Sequence, residues 1–176
     1  MELVRGAGDD GAAAADDTFE AFVRTHQKSL HRTAYLMTGD RERAQDVVQT
    51  ALAKLYQAWP RRAEWEHPLA YARQAVVSTV LRSAERRWWG EKPTEHLPER
   101  HAPEPAPDAL AADRDRLRRA LADLPVRQRS AVVLRFYLDL SEAATADAMA
   151  CPPGTVKSLT ARGLAALRTS LAEASA

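Results

Sequence analysis

The chain has 176 residues, 45% hydrophobic and 28% charged, with 25 Lys and Arg against 24 Asp and Glu for a formal net charge of +1. That much apolar material, enough for one large or two small packed domains, excludes a disordered chain, and a single cysteine, Cys151, excludes an internal disulfide and a cysteine-based zinc site. No apolar run approaches the roughly 18 residues that a membrane span needs, and the first residues lack the regions of a secretory signal, so a cytoplasmic location without a membrane partner is expected.

Residues 1–17 carry Glu2, Asp9, Asp10, Asp16 and Asp17 against Arg5 and show no apolar period, which predicts a flexible acidic tail, with mimicry of nucleic acid as the alternative. From Thr18 the pattern turns helical. Phe19, Phe22, Val23, Leu30, Ala34, Tyr35 and Met37 share one side of a helix that Gly39 ends. Asp40 then caps a second helix, with Ala44, Val47, Val48, Ala51, Leu52, Leu55 and Trp59 on one face and Pro60 as its stop. Residues 60–67, PRRAEWEH, read as a polar loop holding one aromatic, and Pro68 opens a third helix that ends in RRWWG. Its inward row is Leu69, Ala72, Val76, Val80 and Ala84, while Arg73, Arg82, Arg86 and Arg87 stand outside.

Residues 92–112 hold five prolines and almost no large apolar side chains, so an extended linker between two domains is predicted there. Beyond it, Arg114 to Leu124 reads as a helix with Leu117, Leu121 and Leu124 inward, broken at Leu124-Pro125, and Gln128 to Leu138 as another. Residues 140–168 then form two helices joined by a tight turn. Ser141 caps the first, which runs to Met149; Pro153 takes the first position of the second, where its missing N–H costs nothing. Val156, Leu159, Leu164 and Leu167 make that helix's inward stripe, leaving Thr155, Lys157, Ser158, Thr160 and Arg162 for the exposed side, the make-up of a major-groove reader. An ordinary helical hairpin with a solvated basic face is the competing reading. No strand-like alternation or fixed repeat occurs, so the expected architecture is all-α: two small helical domains joined by the linker.

The order of these segments resembles a known family. DVVQTAL (46–52), a basic aromatic helix end, a proline-rich linker, LPVRQRSAVVLRFYLDLSEAATA (124–146) and PPGTVKSLTARGLAALR (152–168) are together similar to bacterial RNA polymerase sigma factors of the extracytoplasmic-function type, and the RRWWGE end of the third helix resembles the actinobacterial E-type group. The resemblance implies a protein without enzyme chemistry or cofactor, whose partners are core RNA polymerase, through its β and β′ subunits, and promoter DNA. Together with the wide apolar helix faces of both domains, it adds an anti-sigma protein as a further partner.

Carried over by residue, Asp46, Gln49 and Leu52 match the segment that docks on the polymerase clamp, although plain helix solvation also accounts for the two polar ones. The family's first domain, here 18–91, binds and melts the −10 element, which requires a base held out of the stack. Arg61, Arg62, Trp65 and His67 fall in the loop matching the family's base-capturing segment. Arg73, Ser78, Arg82, Arg86, Arg87 and Trp88 fall on the −10 helix, where the arginines suit phosphates and the tryptophan suits stacking. Trp88 and Trp89 point about 100° apart, so one of them packs inward. The second domain, 113–176, reads the −35 element through Thr155, Lys157, Ser158, Thr160 and Arg162. Arg127 and Arg129 are read as backbone or polymerase contacts, and Arg135 equally as an ion-pair partner of Glu142 or Asp139.

Four positions depart from the family pattern. Ser78 stands for an asparagine, Ala144 for the acid of a capping box, Ala150 for a turn glycine, and Pro152 removes a hydroxyl cap. The linker is too short for a third structured domain, which places the chain in the minimal two-domain class. The alternative is a helix-turn-helix regulator that binds operators without polymerase; it leaves DVVQTAL and the basic third helix without a role. His26, His31, His67, His96 and His101 show no metal-ligand spacing, and no nucleophile is set beside a base, so neither a metal site nor an enzyme is expected.

Overall fold

Thr18 and Asp40 begin the first two helices as their side chains suggest. Thr18 Oγ1 accepts from the Ala21 amide at 3.1 Å, and Asp40 Oδ1 from the Arg43 amide at 2.8 Å, so each satisfies a helix-end donor that has no partner inside its helix. The computed structural model describes residues 18–64, 67–90 and 109–173, with backbone alone at 62–64, 86–90 and 109–111. Seven α-helices, and no strand, occur among these residues: α1 Phe19–Thr38, α2 Arg41–Ala58, α3 Pro68–Gly90, α4 Ala109–Asp123, α5 Val126–Val132, α6 Glu142–Met149 and α7 Pro153–Glu173. The acidic tail 1–17 and most of the proline-rich linker lie outside the described residues. The linker's last residues do not: α4 starts at Ala109, so the chain is helical before the expected boundary at residue 112.

Gly39 ends α1 with φ +73°, its amide donating to the Tyr35 carbonyl at 2.8 Å. The left-handed backbone favours glycine there. At the end of α2 the chain tightens into a 3-10 turn, Trp59–Glu64, where a loop was expected. Pro60 lacks the N–H that another α-helical turn would use, but its fixed φ suits the tighter turn. The helix expected over Gln128 to Leu138 instead starts at Val126 and widens after Val132 into a π-helical turn, Val133–Tyr137, closed by the Leu138 amide on the Val133 carbonyl at 3.1 Å.

Ala150 adopts the left-handed conformation, φ +49° and ψ +51°, at the turn between α6 and α7. A Cβ there crowds the following carbonyl. Ala150→Gly is therefore expected to raise stability by about 1 kcal/mol, seen as a higher thermal midpoint with unchanged helical content. The Ser141 cap survives without its acidic partner, since the Ala144 amide still donates to Ser141 Oγ at 3.1 Å.

Leu30, Met37, Val48, Leu55, Val76 and Val80 form the centre of an α1–α2–α3 bundle, as the apolar rows predict. The structure adds a second buried row on α3, Val77 and Leu81, which the sequence reading left out. That row exists because α3 is covered on two sides. The core of the first half runs without a break into Ala131, Val133, Leu134, Met149 and Leu159 of the second, and Leu36 of α1 also packs on the smaller cluster of Ala120, Leu121, Leu124, Val132 and Leu167. The two halves, expected as separate domains, are seated on each other.

Polar contacts rim this seam. Arg118 Nη1 donates to Tyr35 Oη at 2.9 Å, and the Arg32 guanidinium lies 5.6 Å from the centre of the Tyr137 ring. Arg118 is also held by Asp115, at 2.5 Å, which Arg119 contacts at 3.1 Å. The hydrogen bond from Arg118, followed by the charges of both arginines, keeps the Asp115 carboxyl below the usual carboxylate range against the opposing effect of burial. A depressed carboxyl stabilises the fold above its unfolded pKa, and that contribution is lost as pH falls through the folded value. Asp115→Asn is thus expected to be less stable than the wild type at neutral pH and to converge with it in acid, as chemical denaturation at a series of pH values will show.

Candidate nucleic-acid interface

The face of α7 opposite its core is the best organised of the polar surfaces. Val156, Leu159, Gly163 and Leu167 are buried against α4, α5 and α6, while Lys157, Ser158 and Arg162 are exposed and Thr155 is half-buried. Ser158 and Arg162, one turn apart, are joined: Arg162 Nε donates to the Ser158 carbonyl at 3.2 Å and Nη2 to Ser158 Oγ at 3.4 Å. The guanidinium is thereby steadied on the outer surface. Thr160 requires a correction. Its hydroxyl oxygen is buried without a hydrogen-bond partner, because two residues beyond Ser158 turn the helix by about 200° and carry the side chain inward.

Close packing under this face depends on Gly163. A Cβ built there would stand 2.8 Å from Val132 Cγ2 and 3.3 Å from the Gln128 carbonyl oxygen, so α5 and α7 cross with no room for a side chain.

On α3, Arg73 and Ser78 are half-buried and Arg82 is exposed. Ser78 Oγ donates to its own helix, to the Ala75 carbonyl at 3.1 Å. Nine residues of helix turn through roughly two and a half turns, so Arg73 and Arg82 lie on opposite sides of α3, and Ser78, one turn before Arg82, shares the side of Arg82. Arg61 is exposed in the 3-10 turn. Arg62, Arg86, Arg87 and Trp88 are placed by backbone alone, in that turn and at the end of α3, and Trp65 lies outside the described residues.

On α2, Asp46 and Gln49 are exposed and Leu52 is half-buried. The same stripe continues to Tyr56, seven residues after Gln49 and 61% exposed, which the sequence reading passed over. An aromatic at that spacing on an otherwise polar face was the available signal. Its ring meets Phe19 edge to face at 5.1 Å, and Phe19, Val23 and Tyr56 floor an open groove of about 400 Å³ rimmed by Glu20, Arg24 and Gln27.

Arg129, expected at DNA backbone or polymerase, and Arg135, equally expected in an ion pair, both bond to carbonyls of their own chain. Arg129 Nη2 donates to the Ala122 and Leu124 carbonyls, both at 2.9 Å, bridging the break that Pro125 makes between α4 and α5. Arg135 donates to the Leu140 carbonyl; the alternative ion pair with Glu142 or Asp139 is not formed among the described residues. Arg127 faces Glu85 of α3 at 3.6 Å.

Comparison with known proteins connects these faces. The sigma-70 region 2 family matches residues 22–90 and the sigma-70 region 4 family residues 114–167. The RNA polymerase sigma-E factor of Streptomyces coelicolor is 39% identical over 156 residues, covering 87% of this chain and 85% of its own length. The chain belongs to the extracytoplasmic-function sigma factors. The sigma factor SigL of Mycobacterium tuberculosis is 32% identical over 172 residues, covering 93% of this chain and 94% of its own. Among solved structures, RpoE of Bartonella quintana, crystallised with the anti-sigma factor NepR, shares the fold with a TM-score of 0.68 at 23% identity, over 87% of this chain and 96% of that one. As a sigma factor, the protein binds core RNA polymerase and directs promoter recognition and melting for transcription initiation. An operator-binding regulator acting without polymerase is not supported, because both sigma-70 regions are matched and the relatives are RNA polymerase sigma factors over most of their length. No helix among the described residues is long and apolar enough to cross a membrane.

Proposed function

We propose that the three polar faces divide the work of this sigma factor. The exposed side of α7 reads the −35 element through Thr155, Lys157, Ser158 and Arg162. The 3-10 turn and α3 serve the −10 element through Arg61, Arg62, Trp65, Arg73, Ser78, Arg82, Arg86, Arg87 and Trp88. Asp46, Gln49, Leu52 and Tyr56 form the stripe of α2 that meets the polymerase clamp. The corresponding units are residues 18–91 and 113–176, joined by 92–112.

The observation that carries the reading is the steadied Arg162 beside Lys157 on the outer face of the second helix of a helix-turn-helix, which fits a groove edge and its phosphates. The protein acts in the cytoplasm, without catalysis of its own. An anti-sigma protein is its antagonist, a reading supported by the apolar groove beside Tyr56 and by the complex in which the Bartonella quintana relative was crystallised.

Run-off transcription with core polymerase and fragmented DNA of the source genome tests the proposal. Transcripts with defined starts that depend on the chain, and that share two upstream elements, support it. Starts that persist when the −35 sequence is scrambled overturn the role of α7.

A further inference from the structure

A row of cations lines the side of α1 that points away from the core. Arg24, Lys28 and Arg32 are exposed and recur every four residues. They stand one above another, about 6 Å apart along the helix and within about 80° around it, opposite the buried Phe22, Leu30 and Met37. Residues 24–32 contain no acid, and among the described residues none of the three cations is ion-paired with a carboxylate. Neither the proposed promoter faces nor the clamp stripe of α2 includes them.

Such a row is by itself a solvated helix face, but this one leads to exposed aromatics. The Arg32 guanidinium lies 5.6 Å from the centre of the Tyr137 ring, across the seam between the halves. The π-helical turn Val133–Tyr137 buries Val133 and Leu134 and leaves its last two rings at the surface, Phe136 61% and Tyr137 40% exposed. Arg118, at the same seam, is held by Asp115 and is not counted with the row. Glu20, one turn before Arg24, and Asp139, two residues after Tyr137, are the nearest acids along the chain at its two ends.

We propose that this surface is a second nucleic-acid site, separate from the promoter faces, which binds a single-stranded polynucleotide: Arg24, Lys28 and Arg32 take successive phosphates, and Phe136 and the open part of Tyr137 stack unpaired bases. Cations that track a backbone beside exposed rings are the combination that single strands need, whereas a duplex hides its base faces from the rings. Arg32 serves both parts. A guanidinium stacked on an aromatic ring keeps the donors at its edge for a phosphate. The site belongs to the closed chain, since α1 supplies the charge and the π turn the rings. The continuous core beneath, with Leu30 on one side and Leu134 on the other, holds the two in place. DNA and RNA share the phosphates and base faces used here and differ at the 2′-hydroxyl. The site stands whether or not α3 and α7 read the −10 and −35 elements.

Binding of the full-length chain, without polymerase, to labelled oligothymidylate, oligouridylate and a blunt duplex of mixed sequence is measured by anisotropy over a range of salt. The homopolymers carry no promoter element. Single strands are expected to bind about tenfold more tightly than the duplex, and log K for them to fall with log salt at a slope of about −2, as three phosphates require. Phe136→Ala is expected to lower single-strand affinity by about tenfold, the loss of one stacked base. Arg24→Ala with Lys28→Ala is expected to reduce the slope to about −0.7. All three positions are exposed, so an unchanged thermal midpoint is the control for folding. Equal binding of the two homopolymers supports a site that reads phosphates and base faces alone, and a preference for one supports the same site with a contact to the sugar. No binding of single strands, or a duplex bound as tightly, overturns the proposal. So does single-strand binding that survives either the paired removal of charge or Phe136→Ala. Binding that falls instead with Arg82→Ala or Lys157→Ala assigns the strand to the promoter faces and overturns it as well.

Discussion

Lys157→Ala and Arg162→Ala each weaken binding of the holoenzyme to a −35-containing promoter by about tenfold, while leaving affinity for core polymerase unchanged. The two residues act differently. Arg162 is pre-set by its bonds to Ser158, so a fork of donors reaches the groove with little further ordering, and its loss relaxes sequence preference at one position. Lys157 is exposed and projects as a point charge, which suits a phosphate contact; its loss lowers affinity evenly across sequences and reduces the salt dependence by about one counterion. Promoter binding at several salt concentrations distinguishes the two, with competition for core polymerase as the control. Normal initiation by both variants at a −35-dependent promoter would show that α7 was assigned wrongly.

Gly163→Ala is expected to lower stability by about 1–2 kcal/mol, the net of two opposed effects. Alanine favours an exposed helix interior over glycine by about 1 kcal/mol, but here the new methyl stands 2.8 Å from Val132 Cγ2. Val132 is buried and β-branched, so it has no free rotamer into which to retreat, and the Gln128 carbonyl on the other side is backbone. Overpacking wins, and the thermal midpoint should fall by about 2–4 °C per kcal/mol. The paired change Val132→Ala with Gly163→Ala should recover part of the loss, because it removes the atom that clashes. A midpoint equal to or above that of wild type would mean that α5 and α7 separate at no cost.

The helix-turn-helix was almost wholly legible. Ser141, Ala150 and Pro153 each act through their own backbone geometry, and the spacing of Val156, Leu159 and Leu167 marks the buried side directly. Thr160 was misplaced for a simple reason. A polar side chain was counted as outward, although its angle around the helix puts it beside the apolar row. Arg129 was read as a backbone or polymerase contact and Arg135 equally as an ion-pair partner, because carbonyls left open by a proline break or a π turn cannot be seen until those turns are built. Tyr56 lies beyond the DVVQTAL motif, so the motif alone does not mark this exposed aromatic on the same stripe of α2.

The amino-acid sequence by itself determined the helices, their caps and stops, the all-α class and the membership of the sigma factors. All of these depend on residues within a turn or two of one another, or on ordered motifs that need no coordinates. Only the tertiary structure decided that the halves close together, that Val77 and Leu81 form a second buried row, and that Gln74 and Glu85 of α3 meet α6 and α5. Contacts such as Arg118 with Tyr35 or Gln74 with Asp147 join residues more than 70 positions apart. Across a proline-rich linker no local period records such pairing, so packing of the whole chain had to choose it.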